Sequence, residues 1–312
     1  MRKILCGTLE SVINNYFPRI MALNLEKAYS VIKAITPPII FDTIKSGPVY
    51  VFVRNLARKV LKKQYHASWN TIKQGELAGV HLFVDAHGSW QKEMLHGEYD
   101  DFFSRYLSTV DMKGKVVYDI GAHIGYSALY FANKVGSTGS VVTFEPNPFN
   151  VERIKLILDK NKELGSRIKI AEVAVSSKNG TDNFIFSSYV DNGTSSGSFI
   201  DGAHTIYPKD DYIEYGGFKT IEVKTVALDQ PSPYFSVEKD PHIIKLDIEG
   251  AEFLAVEGMR ELLKRAKPLV LVEVHSIYNM YILGDIFYSL GYGLELLKEE
   301  RDGRCFFAAT SK

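Results

Sequence analysis

Residues 117–125 read Val-Tyr-Asp-Ile-Gly-Ala-His-Ile-Gly, and residues 141–148 read Val-Val-Thr-Phe-Glu-Pro-Asn-Pro. An apolar strand runs into an acid and a glycine turn, a helix follows, and a second apolar strand ends in Glu145. That succession is one half of a nucleotide-binding α/β sheet. Glycine tolerates φ > 0 and carries no Cβ, so the turn lets backbone N–H groups approach a ligand at the start of the helix. Asp119 and Glu145 then fall at the carboxyl ends of neighbouring parallel strands, where open α/β sheets bind their ligands. Glu145 is placed to accept hydrogen bonds from the two hydroxyls of a ribose.

The spacing of the turn narrows the ligand. A dinucleotide fingerprint is Gly-x-Gly-x-x-Gly, whose middle glycine lets the backbone touch a pyrophosphate. Here Gly121 and Gly125 are present, but His123 stands at the middle position and would crowd a pyrophosphate. A ligand with adenine, ribose and an amino-acid tail but no phosphate suits this turn better, and S-adenosylmethionine is such a ligand. Asp119 is left two roles, facing the ammonium of that tail or holding the turn.

From 116 onward strand and helix patterns alternate, which argues for a mostly parallel sheet. Strands are expected at 116–120, 140–144, 168–175, 183–186, 220–226, 242–247 and 268–274, with helices at 125–135, 148–164, 250–266 and 279–290. Asn147 and Pro148 suit the N-cap and first position of the second helix. The last strands, 293–297 and 304–309, flank Lys298-Glu299-Glu300-Arg301-Asp302-Gly303, a hairpin turn. The expectation is an α/β chain with a Rossmann-like, mostly parallel seven-stranded sheet and a C-terminal antiparallel hairpin, the architecture of class I methyltransferases.

Ahead of this lies a helical N-terminal extension, 1–70, before a catalytic domain at 71–312. Its apolar periodicity is broken at Pro18 and at Pro37-Pro38. Residues 49–63 are basic and amphipathic, with Arg54, Arg58, Lys59, Lys62 and Lys63. Such a segment suits either a helix docked on its own domain or peripheral contact with an anionic membrane. A short β-hairpin or edge strands are expected within 75–88 and a helical stretch over 91–110.

Lys+Arg and Asp+Glu balance at 37 each, so no long-range field marks a nucleic-acid binder. Cys6 and Cys305 lie near opposite ends without metal spacing and read as free thiols of a reducing, cytoplasmic compartment. The basic start Met1-Arg2-Lys3 is followed by Glu10, Asn14 and Asn15, which interrupt the apolar run a secretory signal needs. No stretch has the length of apolar residues that spans a bilayer.

A second constellation follows the strand at 242–247. It runs into Asp247-Ile248-Glu249-Gly250-Ala251-Glu252, and the next strand ends in Glu273-Val274-His275. These groups gather on the same sheet edge as Asp119 and Glu145. Burial and mutual repulsion there would raise some carboxylate pKa values, which suits proton transfer. Glu249 and Glu252 also suit the positive N-terminus of the following helix.

Asp-Ile-Gly-Ala-His-Ile-Gly, Phe-Glu-Pro-Asn-Pro, Ala-Val-Ser, Lys-Leu-Asp-Ile-Glu-Gly-Ala-Glu and Glu-Val-His, in that order, resemble the FkbM family of S-adenosylmethionine-dependent methyltransferases over roughly 90–275. His96-Gly97-Glu98-Tyr99-Asp100 is similar to the family's Gly-x-Tyr/Phe-Glu segment. Where the family often has Asn in the glycine turn, this chain has His123. The resemblance implies O-methylation of a small-molecule or saccharide acceptor. It assigns the cofactor to Asp119, Gly121, Ala122, His123, Gly125 and Glu145, with Ala174 and Val175 flanking the adenine and Asp247 beside the reacting methyl. Glu249, Glu252, Glu273 and His275 would line the acceptor side.

Methyl transfer from a sulfonium is an in-line displacement, so the protein must align the nucleophile and exclude water. Asp247 or His275 is the expected base, with Glu249 and Glu273 holding acceptor hydroxyls. No metal ligand is assigned. A divalent cation bound by several of these carboxylates is the competing idea. A nicotinamide-dependent Rossmann oxidoreductase and a non-catalytic cofactor-fold scaffold are the alternatives from other classes.

Overall fold

The computed structural model describes residues 66–187, 197–203, 218–300 and 303–312. These belong to one unit, Tyr65–Lys312. The expected N-terminal helices, the basic segment 49–63 and Cys6 lie outside the described residues.

The central sheet is built from β3 (Val116–Ile120), β4 (Ser140–Phe144), β5 (Ile168–Ala171), β10 (Ile243–Leu246), β11 (Leu269–Val274), β12 (Tyr292–Glu299) and β13 (Cys305–Ser311). Its spatial order is β12-β13-β11-β10-β3-β4-β5. The five strands from β11 to β5 run parallel, while β13 is antiparallel to both β11 and β12. This is the mostly parallel seven-stranded sheet with an antiparallel C-terminal hairpin that the sequence predicts. The chain proceeds outward from β3 to β5, then crosses back to β10 and continues the other way. The reversal between β3 and β10 is a topological switch point, where side chains at the carboxyl ends of both strands border one crevice.

Both sheet faces are covered, which is why β3 and β10 are buried at every position. Val117, Ile243 and Leu271 join the core beneath α3 (Tyr126–Val135) and the hairpin of β1 (Ser68–Thr71) with β2 (His81–Val84). Tyr118, Ile120, Ile244 and Leu246, alternating with them, join the opposite core with α6 (Glu252–Glu257), α7 (Arg260–Ala266) and α8 (Ile277–Ser289). On the first face, in register with one another, stand Asp119 and Lys245.

Several expected elements are subdivided. The strand expected over 168–175 is β5 plus a separate β6 (Ala174–Val175), which pairs instead with β9 (Phe218–Val226) in a second sheet. That sheet, ordered β6-β9-β7-β8, includes β7 (Gly180–Ser187) and β8 (Phe199–Ile200). The helix expected over 148–164 is α4 (Pro148–Lys160) and α5 (Lys162–Gly165), and Asn161 between them explains the break. Its side chain accepts from His81 N at 2.9 Å and donates to His81 O at 2.8 Å, pinning β2 to the domain. The helix expected over 250–266 breaks at Gly258, where a Cβ would lie 2.0 Å from Ser176 O. Residues 91–110 hold α1 (Ser89–His96) and α2 (Asp101–Leu107), parted by a turn through Gly97–Asp100. Only β2 of the first hairpin falls in 75–88; its partner β1 lies upstream.

Candidate active site

At the end of β3 the chain turns through Gly121, whose φ is +87°; a Cβ there would sit 1.8 Å from the Asp247 carbonyl oxygen. The turn after β3 and the turn after β10 are thus in backbone contact. Gly121 N and Ala122 N donate to Phe144 O at 3.0 and 3.3 Å, and Gly125 N donates to Ala122 O at 2.8 Å, closing the turn ahead of α3. His123 holds φ +53°, costly for a residue with a Cβ, and its N–H donates to Glu145 Oε2 at 2.8 Å. Its ring packs on Trp90 at 5.1 Å.

Glu145, at the end of β4, is buried. Its Oε1 accepts from Asn147 N at 2.9 Å and Asn150 Nδ2 at 3.2 Å. Burial pushes its carboxyl up to about 7, against the pull of these hydrogen bonds. Asn147 caps α4 as the sequence predicts, its side chain accepting from Phe149 N at 3.0 Å.

Asp119 lies under the turn, fully buried. Its Oδ2 accepts from Ser127 Oγ at 2.8 Å, and its Oδ1, without a hydrogen bond, lies 3.8 Å from Lys245 Nζ. Burial raises its pKa, with the Lys245 ammonium opposing. Lys245 is itself buried and donates to Gly121 O at 3.2 Å and Asp247 Oδ2 at 3.0 Å. It therefore ties Asp119, the glycine turn and Asp247 into one unit. Burial works to raise the pKa of Asp247, yet Lys245 and then His275 hold it below the usual carboxylate range.

Beyond Asp247 the backbone takes two left-handed steps, Glu249 at φ +55° and Gly250 at φ +104°, which turn Glu249 back over His275. His275 is 1% exposed. Its Nδ1 meets Glu252 Oε1 at 2.8 Å; its Nε2 faces Glu249 Oε2 at 3.3 Å, Glu273 Oε1 at 3.5 Å and Asp247 Oδ1 at 3.9 Å. Burial opposes charge on the ring, but Glu252 and Glu249 first among its neighbours raise its pKa to about 10. Burial pushes Glu249 up to about 7. Glu273, paired to Arg304 Nη1 at 2.8 Å, is raised by burial and by the Asp247 charge. Glu252 also accepts from Gly250 N at 2.9 Å and Asn279 Nδ2 at 2.8 Å, so its carboxylate is taken up within the fold. The donor atoms of Asp247, Glu273 and His275 lie within 4.8 Å of one another.

A cavity of about 400 Å³ joins these parts. Of the residues singled out from sequence, Gly121, His123, Glu145, Ala174, Val175, Asp247, Glu249 and Glu273 line it. Asp119, Ala122, Gly125, Glu252 and His275 stand behind that lining. Phe184, Phe199 and Ile200 of the second sheet border its apolar end next to Ala174.

Other lining groups are given no role by the sequence reading. Tyr99 and Asp100 come from the link between α1 and α2, with Asp100 at φ +51° and pushed up to about 7 by burial. Lys298, Arg304 and Phe306 come from the C-terminal hairpin, with Lys298 Nζ 4.9 Å from the Phe102 ring centroid. Lys245 stands inside the motif that carries Asp247, and its apolar neighbours mark a buried position, the one signal that could have flagged it. Among the described residues no helix is long and apolar enough to cross a membrane.

Residues 119–289 match the model of the methyltransferase FkbM domain. The chain is 27% identical over 213 residues to the hexuronic acid methyltransferase AglP of Haloferax volcanii, covering 68% of this chain and 77% of that protein. Similar solved structures include methyltransferase FkbM from Methylobacillus flagellatus, at 18% identity and a TM-score of 0.43. That match covers 62% of this chain and 43% of that one. An S-adenosylmethionine-dependent O-methyltransferase from Thermotoga maritima matches at 13% identity and a TM-score of 0.41, over 74% and 73% of the two chains.

Proposed function

The chain belongs to the FkbM methyltransferase family, and from that premise we propose that it moves the methyl group of S-adenosylmethionine to a hydroxyl of a sugar or glycan intermediate. The observation that carries this reading is the contact between the Gly121 turn and Asp247, which puts a nucleotide-type turn and an acid–histidine cluster on one cavity.

The parts fit the donor. Glu145 offers a carboxylate to the ribose hydroxyls, and Ala174 and Val175 offer an apolar wall to the adenine. Carboxylates outnumber cations around the cavity, which favours a ligand carrying a sulfonium and an ammonium. A pyrophosphate would meet His123 and that same negative field, which argues against a nicotinamide dinucleotide.

At the other end Glu249, Glu273, Arg304 and Lys298 supply donors and acceptors for hydroxyls, and Phe102 and Phe306 supply flat apolar faces for a sugar ring. The hexuronic acid substrate of AglP makes a uronate or its nucleotide-linked form the first acceptor class to test. In the reaction the acceptor oxygen attacks the methyl carbon along the line of the carbon–sulfur bond. That bond breaks with its electron pair going to sulfur, giving S-adenosylhomocysteine, and the acceptor's proton passes into the carboxylate cluster. Activating a hydroxyl in this way supplies ~10²–10⁴-fold. Asp247 and His275 are the residues to which we assign that activation.

The test is transfer of a radiolabelled methyl group from S-adenosylmethionine to nucleotide-linked and lipid-linked uronates and neutral sugars. Incorporation that disappears in Asp247→Asn, with S-adenosylmethionine still bound by calorimetry, is expected. Cofactor binding without incorporation into any saccharide would overturn the acceptor class.

A further inference from the structure

We propose that Asp247, Glu273 and His275, with Glu249 beside them, bind a divalent transition-metal cation on the floor of the cavity. The proposal deepens the reading of this region as the acceptor end, and rests on it.

Two separate observations support it. The first is spacing. From His275 Nε2 the carboxylate oxygens stand at 3.3 Å (Glu249), 3.5 Å (Glu273) and 3.9 Å (Asp247). Ligands held ~2.0–2.2 Å from one cation lie about 3–3.5 Å apart; the donors of Asp247, Glu273 and His275 lie within 4.8 Å of one another, so side-chain shifts on the order of 1 Å bring them onto one ion.

The second is His275 itself. The side chain is 1% exposed; Glu252 holds its Nδ1 at 2.8 Å, which leaves Nε2 directed at the carboxylates of Glu249, Glu273 and Asp247 in ion-pair range. A cation entering there would replace the proton on Nε2 and take over the same carboxylates, as metal binding to imidazole releases a proton. Glu252, held by the Gly250 and Asn279 donors, fixes the ring from behind. That is the carboxylate–histidine support found behind metal-bound imidazoles. Lys245 on Asp247 Oδ2 likewise leaves Oδ1 directed at the cluster.

An imidazole among carboxylates favours Mn²⁺ or Zn²⁺; Mg²⁺ and Ca²⁺ prefer oxygen alone. The ion is reached from the cavity, which Asp247, Glu249 and Glu273 line. Bound there, it would take the acceptor hydroxyl as a further ligand and polarise it, giving Asp247 and His275 their part in activation as ligands.

The experiment uses the full chain, stripped with chelator and desalted, and titrated with Mn²⁺ by electron paramagnetic resonance and with Zn²⁺, Mg²⁺ and Ca²⁺ by calorimetry. One Mn²⁺ or Zn²⁺ per chain is expected, weakened at least ~10-fold in Glu273→Gln and in His275→Asn. Glu163→Gln, at an exposed acid away from the cavity, should bind as the parent does. Circular dichroism reports folding, and if His275→Asn unfolds, Glu273→Gln decides alone. No saturable binding of Mn²⁺ or Zn²⁺ at millimolar concentration, unchanged affinity in Glu273→Gln, or binding of Mg²⁺ or Ca²⁺ alone would each overturn the proposal. S-adenosylmethionine titrated into the same stripped samples reports the cofactor site separately, so failure of the metal leaves the methyl-transfer reading standing.

Discussion

Gly121→Ala is the substitution whose consequences the geometry defines most sharply. At φ +87° an alanine is strained by ~1–3 kcal/mol wherever it stands. At this site its Cβ would also lie 1.8 Å from Asp247 O and 3.0 Å from Ile248 Cγ2. Non-bonded heavy atoms settle at about 3.5 Å, so the two turns must part by well over ~1 Å, and forced repacking adds ~1–3 kcal/mol. Gly79 supplies the control: its φ is +91° and nothing stands within 4 Å of its Cβ position. Gly79→Ala therefore isolates backbone strain. For a unit of this size each kcal/mol lowers Tm by ~2–4 °C. Scanning calorimetry should give a drop of roughly 2–12 °C for Gly79→Ala and about twice that for Gly121→Ala. The functional split is sharper. Displacing Asp247 from the turn by ~1 Å should cut turnover ~10²-fold and weaken S-adenosylmethionine by at least tenfold, with Gly79→Ala unaffected. Equal behaviour of the two variants in both assays would refute the claim that the turns after β3 and β10 form one site.

Glu145→Gln tests the ribose contact through pH. Because burial pushes this carboxyl up to about 7, its accepting form is lost as pH falls through that value, so S-adenosylmethionine affinity should decline from pH 8 to pH 6. Calorimetry on Glu145→Gln should show weaker binding at pH 8 and a flatter profile; an unchanged profile would remove Glu145 from that role. Lys245→Met strands fully buried Asp119 and half-buried Asp247 without their ammonium, a loss of ~3–5 kcal/mol readable by chemical denaturation, with Lys245→Arg recovering part of it. A Lys245→Met variant as stable as the parent would show that the strut is dispensable. Asn161→Ala leaves His81 N and O without their partner and should cost ~1–3 kcal/mol, with no change in S-adenosylmethionine affinity in the same calorimeter.

The parallel sheet and its closing hairpin were legible because β3, β4, β10 and β11 are short apolar runs between turn residues, and that local pattern is enough. The breaks were not, because each depends on a partner remote in sequence. Asn161 leaves its helix for His81, Gly258 makes room for Ser176 O, and β6 leaves the β5 line to pair with β9. The turn after β3 and its tie to Glu145 could be read from Gly121, Gly125 and the strand-ending acid since turn chemistry is local. How the acids divide their work could not. Asp119 and Glu252 look like their neighbours in the sequence, and only the fold shows their carboxylates taken by Ser127 and by His275 and Asn279. Tyr99 and Asp100 reach the cavity from the turn between α1 and α2, and Arg304 from the C-terminal hairpin, segments whose sequences carry no periodic sign of it.

We place S-adenosylmethionine on the Gly121 turn and Glu145. Titrating the full chain with S-adenosylmethionine and, separately, with NADH in a calorimeter tests it directly. One saturable S-adenosylmethionine site per chain is expected, displaced by S-adenosylhomocysteine and weakened in Gly121→Ala and Glu145→Gln, with NADH giving no binding heat. Saturable NADH binding alongside inert S-adenosylmethionine would contradict it.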